Sequence, residues 1–563
     1  MAYDLVIRNG TIIDGSGGAR YRADIGVNDG KITNIGRITE SGRQDIDAEG
    51  HVVSPGFVDG HTHMDAQVFW DPLGSCSCYH GVTSVVMGNC GFTLAPCKQE
   101  DADLVFRNLE RAEDLSRDAM LEGIDWTWET FPQFLDAVDA LPKGINYAGY
   151  IGHSALRTYV MGERAFSDQA SPDEILRMQN TVKEAMDAGA VGFSTSRTFN
   201  HQTADDRPVA SRLASWNEVR SIVNAVGETG KGVFEIAGEA PGRDPDRLRE
   251  YHDRLRDLAV ESGVTQTWGM FCSRHAPDYW RPYFDLLDET AAAGGRMFAQ
   301  VHSRGLNTLF SFESSLPWDK WDVWKDFRNQ SLEDQARELG NPVIRAKLVE
   351  VANAEYKGPR VVGAELRPPA WEFVYPMDDM HYDKPSMAEL ASAKGVTPVE
   401  LMIDMALEKD LKMFFRAPIA NEIMEPVIEM IKHPRSVCTF SDSGAHVSQI
   451  MDSSLQTHLL SYWVREKEAI SLEDAIRQIT YNTSTLWGLH DRGLIREGMA
   501  ADIVVFDPDT VGPNMPEVVN DLPAGARRLK QTATGIRNTV VNGEILLDNN
   551  EHTGAASGRL LRS

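Results

Sequence analysis

The sequence predicts an α/β protein whose centre is a parallel, barrel-forming array and whose two ends meet in one small β-unit. Three observations predict it. Strand-like apolar runs alternate with amphipathic helical stretches over residues 56–496. Short β-branched runs cut by turn pairs fill residues 1–55, and further β-runs follow residue 496. Neither end has enough sequence for a stable sheet sandwich alone, so the economical solution pairs them.

The amino-terminal runs lie at 5–7, 11–13, 24–27 and 31–35, separated by the turn signals Asn9-Gly10, Ser16-Gly17 and Asp29-Gly30. Strand candidates in the middle are 53–58, 82–87, 145–151, 191–194, 233–236, 297–301 and 437–441. Helical candidates between them include 173–188, 216–229, 245–262 and 280–293. About eight β-then-α units would close a barrel; a doubly wound sheet is the alternative. No G-x-G-x-x-G follows the first strand, so nothing supports dinucleotide binding. Residues 305–400, rich in Trp, Pro and charge, read as an insertion or long loops. A strand at 503–506 and a hairpin about Asn542-Gly543 complete the chain.

With 563 residues, 42% hydrophobic and 25% charged, the chain has ample material for a large core and for more than one structural unit. A net charge of -27 argues against nucleic-acid binding and against an anionic membrane surface. No apolar run is long enough to span a bilayer. The expected partner is a small-molecule substrate, and a homo-oligomer is compatible with everything here. Six cysteines and no apolar leader make a reducing cytoplasm the default location.

The chemistry concentrates at strand ends. His61-x-His63 follows the apolar run VVSPGFVD, and residues two apart on a strand point to one side, so both imidazoles can meet one ion. In a barrel the carboxyl ends of the strands face the active site. Asp442 opens the segment SDSGAH after a late strand, where a carboxylate can ligate the ion and accept a proton; alone, Asp before Ser-Gly is also ordinary turn chemistry. Cys90, just past the run at 82–87, can supply a thiolate to zinc or be a buried apolar cysteine. A structural zinc site from Cys76, Cys78, Cys90 and Cys97 is the less favoured reading, because the Cys76-x-Cys78 gap is tight. His153 ends another strand-like run and reads equally as a substrate contact or a structural histidine.

Together these residues resemble the amidohydrolase superfamily, and within it the N-acyl-D-amino-acid deacylase (D-aminoacylase) branch. The resemblance runs almost end to end, through DLVIRNGTIIDGSG, GFVDGHTHMD, VTSVVMGNCGF, YIGHSALRTYVMG, GAVGFSTS, SDSGAH and ITYNTSTLWGLHDRGLIREGMAADIVVFDP. It implies a distorted (β/α)8 barrel, residues 56–496, beside a β-sandwich from residues 1–55 and 497–563. It also implies zinc-dependent hydrolysis of an amide-type C–N bond. Carried over by position, His61, His63, Cys90 and Asp442 are the metal ligands, and Asp442 is also the general base.

The chain departs from the family after the fifth and sixth strands. Ala237 stands where a histidine is expected, and Gln266, Trp268 and Met270 provide none, with His275 several residues late. The resemblance therefore implies a depleted centre with one Zn2+ or another divalent ion, with Glu235 or Glu239 as candidate replacement ligands. Arg197 and Arg304 are candidates to hold a substrate carboxylate. A cyclic amide, carbamate or lactone is the rival substrate class; a metal-binding protein without catalysis is the rival function.

Overall fold

The computed structural model describes residues 3–355 and 367–563. Parts of the stretches 1–55 and 305–400 (residues 1–2 and 356–366) lie outside the described residues.

Eight parallel strands build the centre: β1 Phe57–Asp59, β2 Val82–Met87, β3 Asn146–Gly149 continuing as Ile151–Gly152, β4 Gly192–Ser196, β5 Val233–Ala237, β6 Thr265–Met270, β7 Met297–Val301 and β8 Ser436–Cys438. β1, β2 and the first half of β3 pair in order, and the second half of β3 pairs with β4 and onward to β8. The ring closes where β8 returns to β1: Thr62 bridges Ser443 in parallel, and Asp442 N–H donates to the His61 carbonyl at 3.2 Å. The strands are β-branched and aromatic, and helices such as Pro172–Asp187, Trp216–Gly227 and Pro245–Ser262 pack outside them. Each of these three helices opens on a Ser or Asp cap followed by an acidic first turn, which satisfies and complements its N-terminal amides.

The run read as one strand at 53–58 is two. Pro55 has no N–H to continue a ladder, and Gly56 turns the chain by donating to the Asp502 carbonyl. Val52–Pro55 joins the terminal sheet, and Phe57–Asp59 enters the barrel. That terminal sheet has nine strands drawn from both ends of the chain. Strand Ile503–Phe506 shows why it is apolar throughout: Ile503 and Val505 join Leu5, Ile7 and Ile25 in the sheet's own core, while Val504 and Phe506 pack into the barrel's. Asn542-Gly543 makes the expected hairpin, both residues at positive φ. Asn9-Gly10 does not turn. It is a bulge inside the single strand Tyr3–Ile12, with Asn9 at φ 60°.

The stretch read as an insertion or loops lies between β7 and β8, and its described residues form regular elements. Leu306–Phe310, Phe414–Ala420 and Tyr375–Met377 form a three-stranded antiparallel sheet. Helices including Asp322–Arg328 and Pro398–Leu407 cover it around a separate core that buries Trp318 and Trp324. Its Trp-rich sequence is core, not surface. Among the described residues no helix is long and apolar enough to cross a membrane.

Candidate metal centre

The carboxyl end of β1 points His61 and His63 inward, fully buried. His61 Nδ1 meets the Gln300 Oε1 acceptor on β7 at 2.7 Å, which fixes Nε2 as the free lone pair. The ring stacks on Phe440 at 3.7 Å. His61 Nε2 lies 3.5 Å from Cys90 Sγ and 3.7 Å from Asp442 Oδ1. His63 Nε2 lies 3.1 Å from the same Oδ1. Around an ion with bonds near 2.1 Å, tetrahedral donors sit ~3.4 Å apart, close to each of these three separations.

Two backbone devices present the other donors. Cys90 takes a left-handed conformation, φ 56°, between Gly88 and Gly91, which are also left-handed. A Cβ on Gly91 would press on the backbone of Thr195 and Ser196 at 3.0–3.3 Å, so the Cys90 turn lies flat against β4. Cys90 N–H donates to Glu235 Oε2 on β5 at 2.7 Å. Asp442 is also left-handed, φ 58°, a conformation that Asp tolerates better than most residues. A Cβ on Gly444, φ 96°, would stand 2.5 Å from the His63 carbonyl oxygen, so only glycine lets the SDSGAH segment lie on the His61–His63 backbone.

The cluster also contains an acid that the sequence reading missed. Glu113, 2% exposed, directs Oε2 to within 3.5 Å of His63 Nε2. Two overlapping donor groups result: His61, His63 and Cys90, and His63, Glu113 and Asp442. Nothing in the charged run NLERAEDL distinguishes Glu113 from Glu110. Its place is set by a long-range contact, His446 N–H donating to the Glu113 carbonyl at 2.7 Å.

The electrostatics follow from burial and like charge. Burial, reinforced by Glu235, Glu113 and Asp442, pushes the Cys90 thiol well up. Burial first, and then neighbouring carboxylates, raise Glu113 to about 8; burial also raises Glu235 to about 8. Burial opposes ionisation of His63, but Glu113 and Asp442 outweigh it and hold the imidazole up at about 9. Burial likewise opposes ionisation of Asp442, yet His63 and His61 keep it well below the carboxylate range. Such a cluster is short of positive charge; a divalent cation opposes the upward shifts of Cys90, Glu113, Glu235 and His63 and reinforces the downward one of Asp442.

A cavity of about 580 Å³ opens on Cys90, Asp442, Glu235 and His446 and reaches Phe271, Arg274 and Ile419. Not all expected site residues reach it. His153 is buried elsewhere, Nδ1 on Thr195 Oγ1 at 2.8 Å and Nε2 on Glu218 Oε1 at 3.0 Å, so its structural reading is the better one. Arg197 is held by Glu239 at 3.2 Å and by the Ala214 carbonyl, outside the cavity wall. Arg304, 2% exposed, pairs with Asp452 at 3.1 Å. Of the two replacement acids, Glu235 lines the cavity; Glu239 is drawn away by Arg197 and Arg254. Cys76, Cys78 and Cys97 join no donor group among the described residues.

The amidohydrolase family profile matches residues 44–547. The chain belongs to the amidohydrolase family. Within the family it is 27% identical to an uncharacterised protein of Mycobacterium tuberculosis, over 96% of this chain and 92% of that one. It is 26% identical to the D-aminoacylase of Alcaligenes xylosoxydans xylosoxydans, over 99% and 97%. In fold it is similar to the N-acyl-D-glutamate deacylase of Bordetella bronchiseptica, solved with zinc and a phosphonate mimic of the tetrahedral intermediate. That similarity has a TM-score of 0.66 at 21% identity and covers 100% of both chains. The barrel with its two-ended β-unit is thus an amidohydrolase architecture of the D-aminoacylase-like branch.

Proposed function

We propose that this amidohydrolase cleaves an amide-type C–N bond of an N-acyl-D-amino-acid-like substrate, with zinc held by His61, His63, Cys90 and Asp442. The observation that carries the reading is the meeting of His61 Nε2, His63 Nε2, Cys90 Sγ and Asp442 Oδ1 at the end of a cavity, with neighbouring donor separations of 3.1–3.7 Å. The donor set suits the group: zinc, a borderline cation, takes imidazole nitrogen, thiolate sulfur and carboxylate oxygen alike. Bound there, a divalent ion supplies Lewis-acid polarisation of a carbonyl and lowers the pKa of a coordinated water.

The chain's own residues supply the rest. Asp442, held ionised beside His63, accepts the proton of the attacking water and returns it to the departing nitrogen. Gln300 fixes the tautomer of His61. Phe440 and Phe271 give the cavity an apolar wall beside the donors, which limits water there. For a substrate carboxylate the cavity offers Arg274, stacked 4.9 Å over Phe373 and 3.7 Å from Glu422; we assign it the role first given to Arg197 and Arg304.

The relatives named above for acyl-D-amino-acid chemistry support this substrate class. A panel of N-acyl-D-amino acids, their L-enantiomers, cyclic imides, carbamates and lactones tests it. Turnover confined to the cyclic or ester substrates rejects the assignment. Bound zinc with no turnover of any member favours the metal-binding alternative.

A further inference from the structure

β4 ends in Ser196, and five residues later the chain brings His201 to the wall of the cavity that holds Cys90 and Asp442. Phe92 packs against the rings of both His201, at 5.2 Å, and His63, at 6.3 Å. Among the described residues three histidines line this cavity: His201, His275 and His446. His446 turns Nε2 towards Glu113 at 4.0 Å, and His275 Nε2 accepts from Arg274 Nε at 3.2 Å. His201 differs. Its Nδ1 lies 2.8 Å from Ser196 Oγ, and its Nε2 has no hydrogen-bond partner among the described residues.

The serine decides which nitrogen carries the hydrogen. Ser196 is inaccessible to solvent, so its hydroxyl hydrogen needs an acceptor inside the protein. Among the described residues the hydroxyl meets one partner, His201 Nδ1. Were Nδ1 protonated, it would donate to Oγ and leave the hydroxyl hydrogen buried with no acceptor. The hydroxyl therefore donates to Nδ1, and the hydrogen of the neutral ring sits on Nε2. Burial first, and then His63, pushes this imidazole down to about 3, in keeping with a neutral ring. The loop that carries it is pinned: the His201 carbonyl accepts from Arg212 Nη1 at 2.9 Å, and Gln202 bridges Pro208.

We infer that His201 is a catalytic residue that offers Nε2–H to the acyl oxygen of the bound substrate, and that Ser196 is the positioning residue that keeps the hydrogen on that nitrogen. The inference rests on the amide-hydrolysis reading proposed above. When water adds to an amide carbonyl, negative charge gathers on the acyl oxygen, and a donor fixed in advance stabilises it without rearranging. Neither β5 nor β6 ends in an imidazole that could do this, since Ala237 and Met270 stand there. Asp442 moves the water proton, so His201 has none to transfer. A neutral ring with its imine nitrogen occupied by a hydroxyl suits that part: it donates a hydrogen bond and keeps its hydrogen throughout.

Nitrogen NMR of the zinc-loaded full-length protein, ring-labelled at histidine and assigned by difference with His201→Phe, reads the tautomer directly. Nδ1 of His201 is expected as a bare imine nitrogen and Nε2 as the protonated one, with that preference relaxed in Ser196→Ala. A protonated Nδ1 in wild type overturns the inference whatever the substrate proves to be. Steady-state kinetics on the best substrate of the panel above reads the use of the hydrogen. His201→Phe is expected to lower kcat ~10²-fold with KM little changed and with zinc content and melting as in wild type. His201→Asn, which keeps an N–H donor, is expected to recover part of the loss, and it carries the test should His201→Phe not fold. Ser196→Ala is expected to lower kcat about tenfold in wild type and not at all on top of His201→Phe. Unchanged kcat in His201→Phe, a change in KM alone, or additive losses in the double variant overturn the inference and leave the metal reading standing. A wild type that turns over no amide of the panel overturns the parent reading and the inference with it.

Discussion

Two buried charged clusters lie within the barrel wall, and they are built on opposite principles. In the first, Glu218 on helix Trp216–Gly227 receives Arg157 and His153, all three side chains inaccessible to solvent. Burial pushes the Glu218 carboxyl up, but His153 and Arg157 outweigh it and leave it below its ordinary range. Anion and cation are matched there. In the second, Glu113, Glu235, Cys90 and Asp442 crowd around two imidazoles, and Glu113 and Glu235 are driven up to about 8 by burial. The first cluster is complete as folded. The second gathers acids without a matching lysine or arginine, and that difference, more than burial or residue type, is what marks it as the candidate reactive site.

Changes that exploit the contrast rank by size. The largest effect belongs to Asp442→Asn, which keeps the shape but removes the proton acceptor: steady-state kinetics should show turnover lower by ~10³-fold or more, while thermal melting stays close to wild type. Unchanged turnover removes Asp442 from the chemistry. Next is Arg157→Met in the matched cluster, where an orphaned buried carboxylate should cost ~3–5 kcal/mol in chemical denaturation, with bound metal per folded chain unaltered. That variant should also lose acid sensitivity. A depressed Glu218 contributes stability above the unfolded carboxylate pKa and loses it as pH falls through the folded one, so wild type, and less so the variant, should soften on acidification.

Gln300→Ala releases the His61 tautomer without touching a donor atom. Metal affinity, measured by competition with a chromophoric chelator, should fall ~10–100-fold. The smallest effect is expected from Arg274→Ala: KM for anionic substrates should rise by about tenfold, with kcat less affected and uncharged substrates indifferent. An equal change for charged and uncharged substrates would make Arg274 a wall residue only.

What the sequence displayed of this site depends on whether local geometry or distant contact placed the residue. His61 and His63 were legible because strand periodicity alone puts both on one side. Cys90 and Asp442 were singled out because each lies just past a strand-like run and because their segments resemble the family's; the left-handed turns that present them appear only in the structure. Glu113 left none, since its position comes from His446, over 300 residues later, binding its carbonyl. The reverse error has the same cause. His153, Arg197 and Arg304 all follow strand-like runs, as Cys90 and Asp442 do, but Glu218, Glu239 and Asp452 draw them away. Those acids lie on other elements, and strand-end periodicity carries no record of them. In the fold, the β/α alternation and the pairing of the chain ends were visible, whereas the sheet-and-helix subunit between β7 and β8 was hidden because its apolar pattern is aromatic and irregular.

The seam between β1 and β8 carries a consequence for how the protein comes into being. His61 and Asp442 are joined there backbone to backbone, and the Gly444 segment lies on the His63 carbonyl. Residues made early and residues made late in synthesis must therefore meet before the donor set exists, and they meet only when the ring shuts. A nascent chain that ends before residue 442 carries His61, His63 and Cys90 of the proposed set but lacks Asp442. If the proposed set of four is the one that holds the ion, the full set forms only when the last strand has found the first, and a growing chain presents no completed site until its barrel is closed.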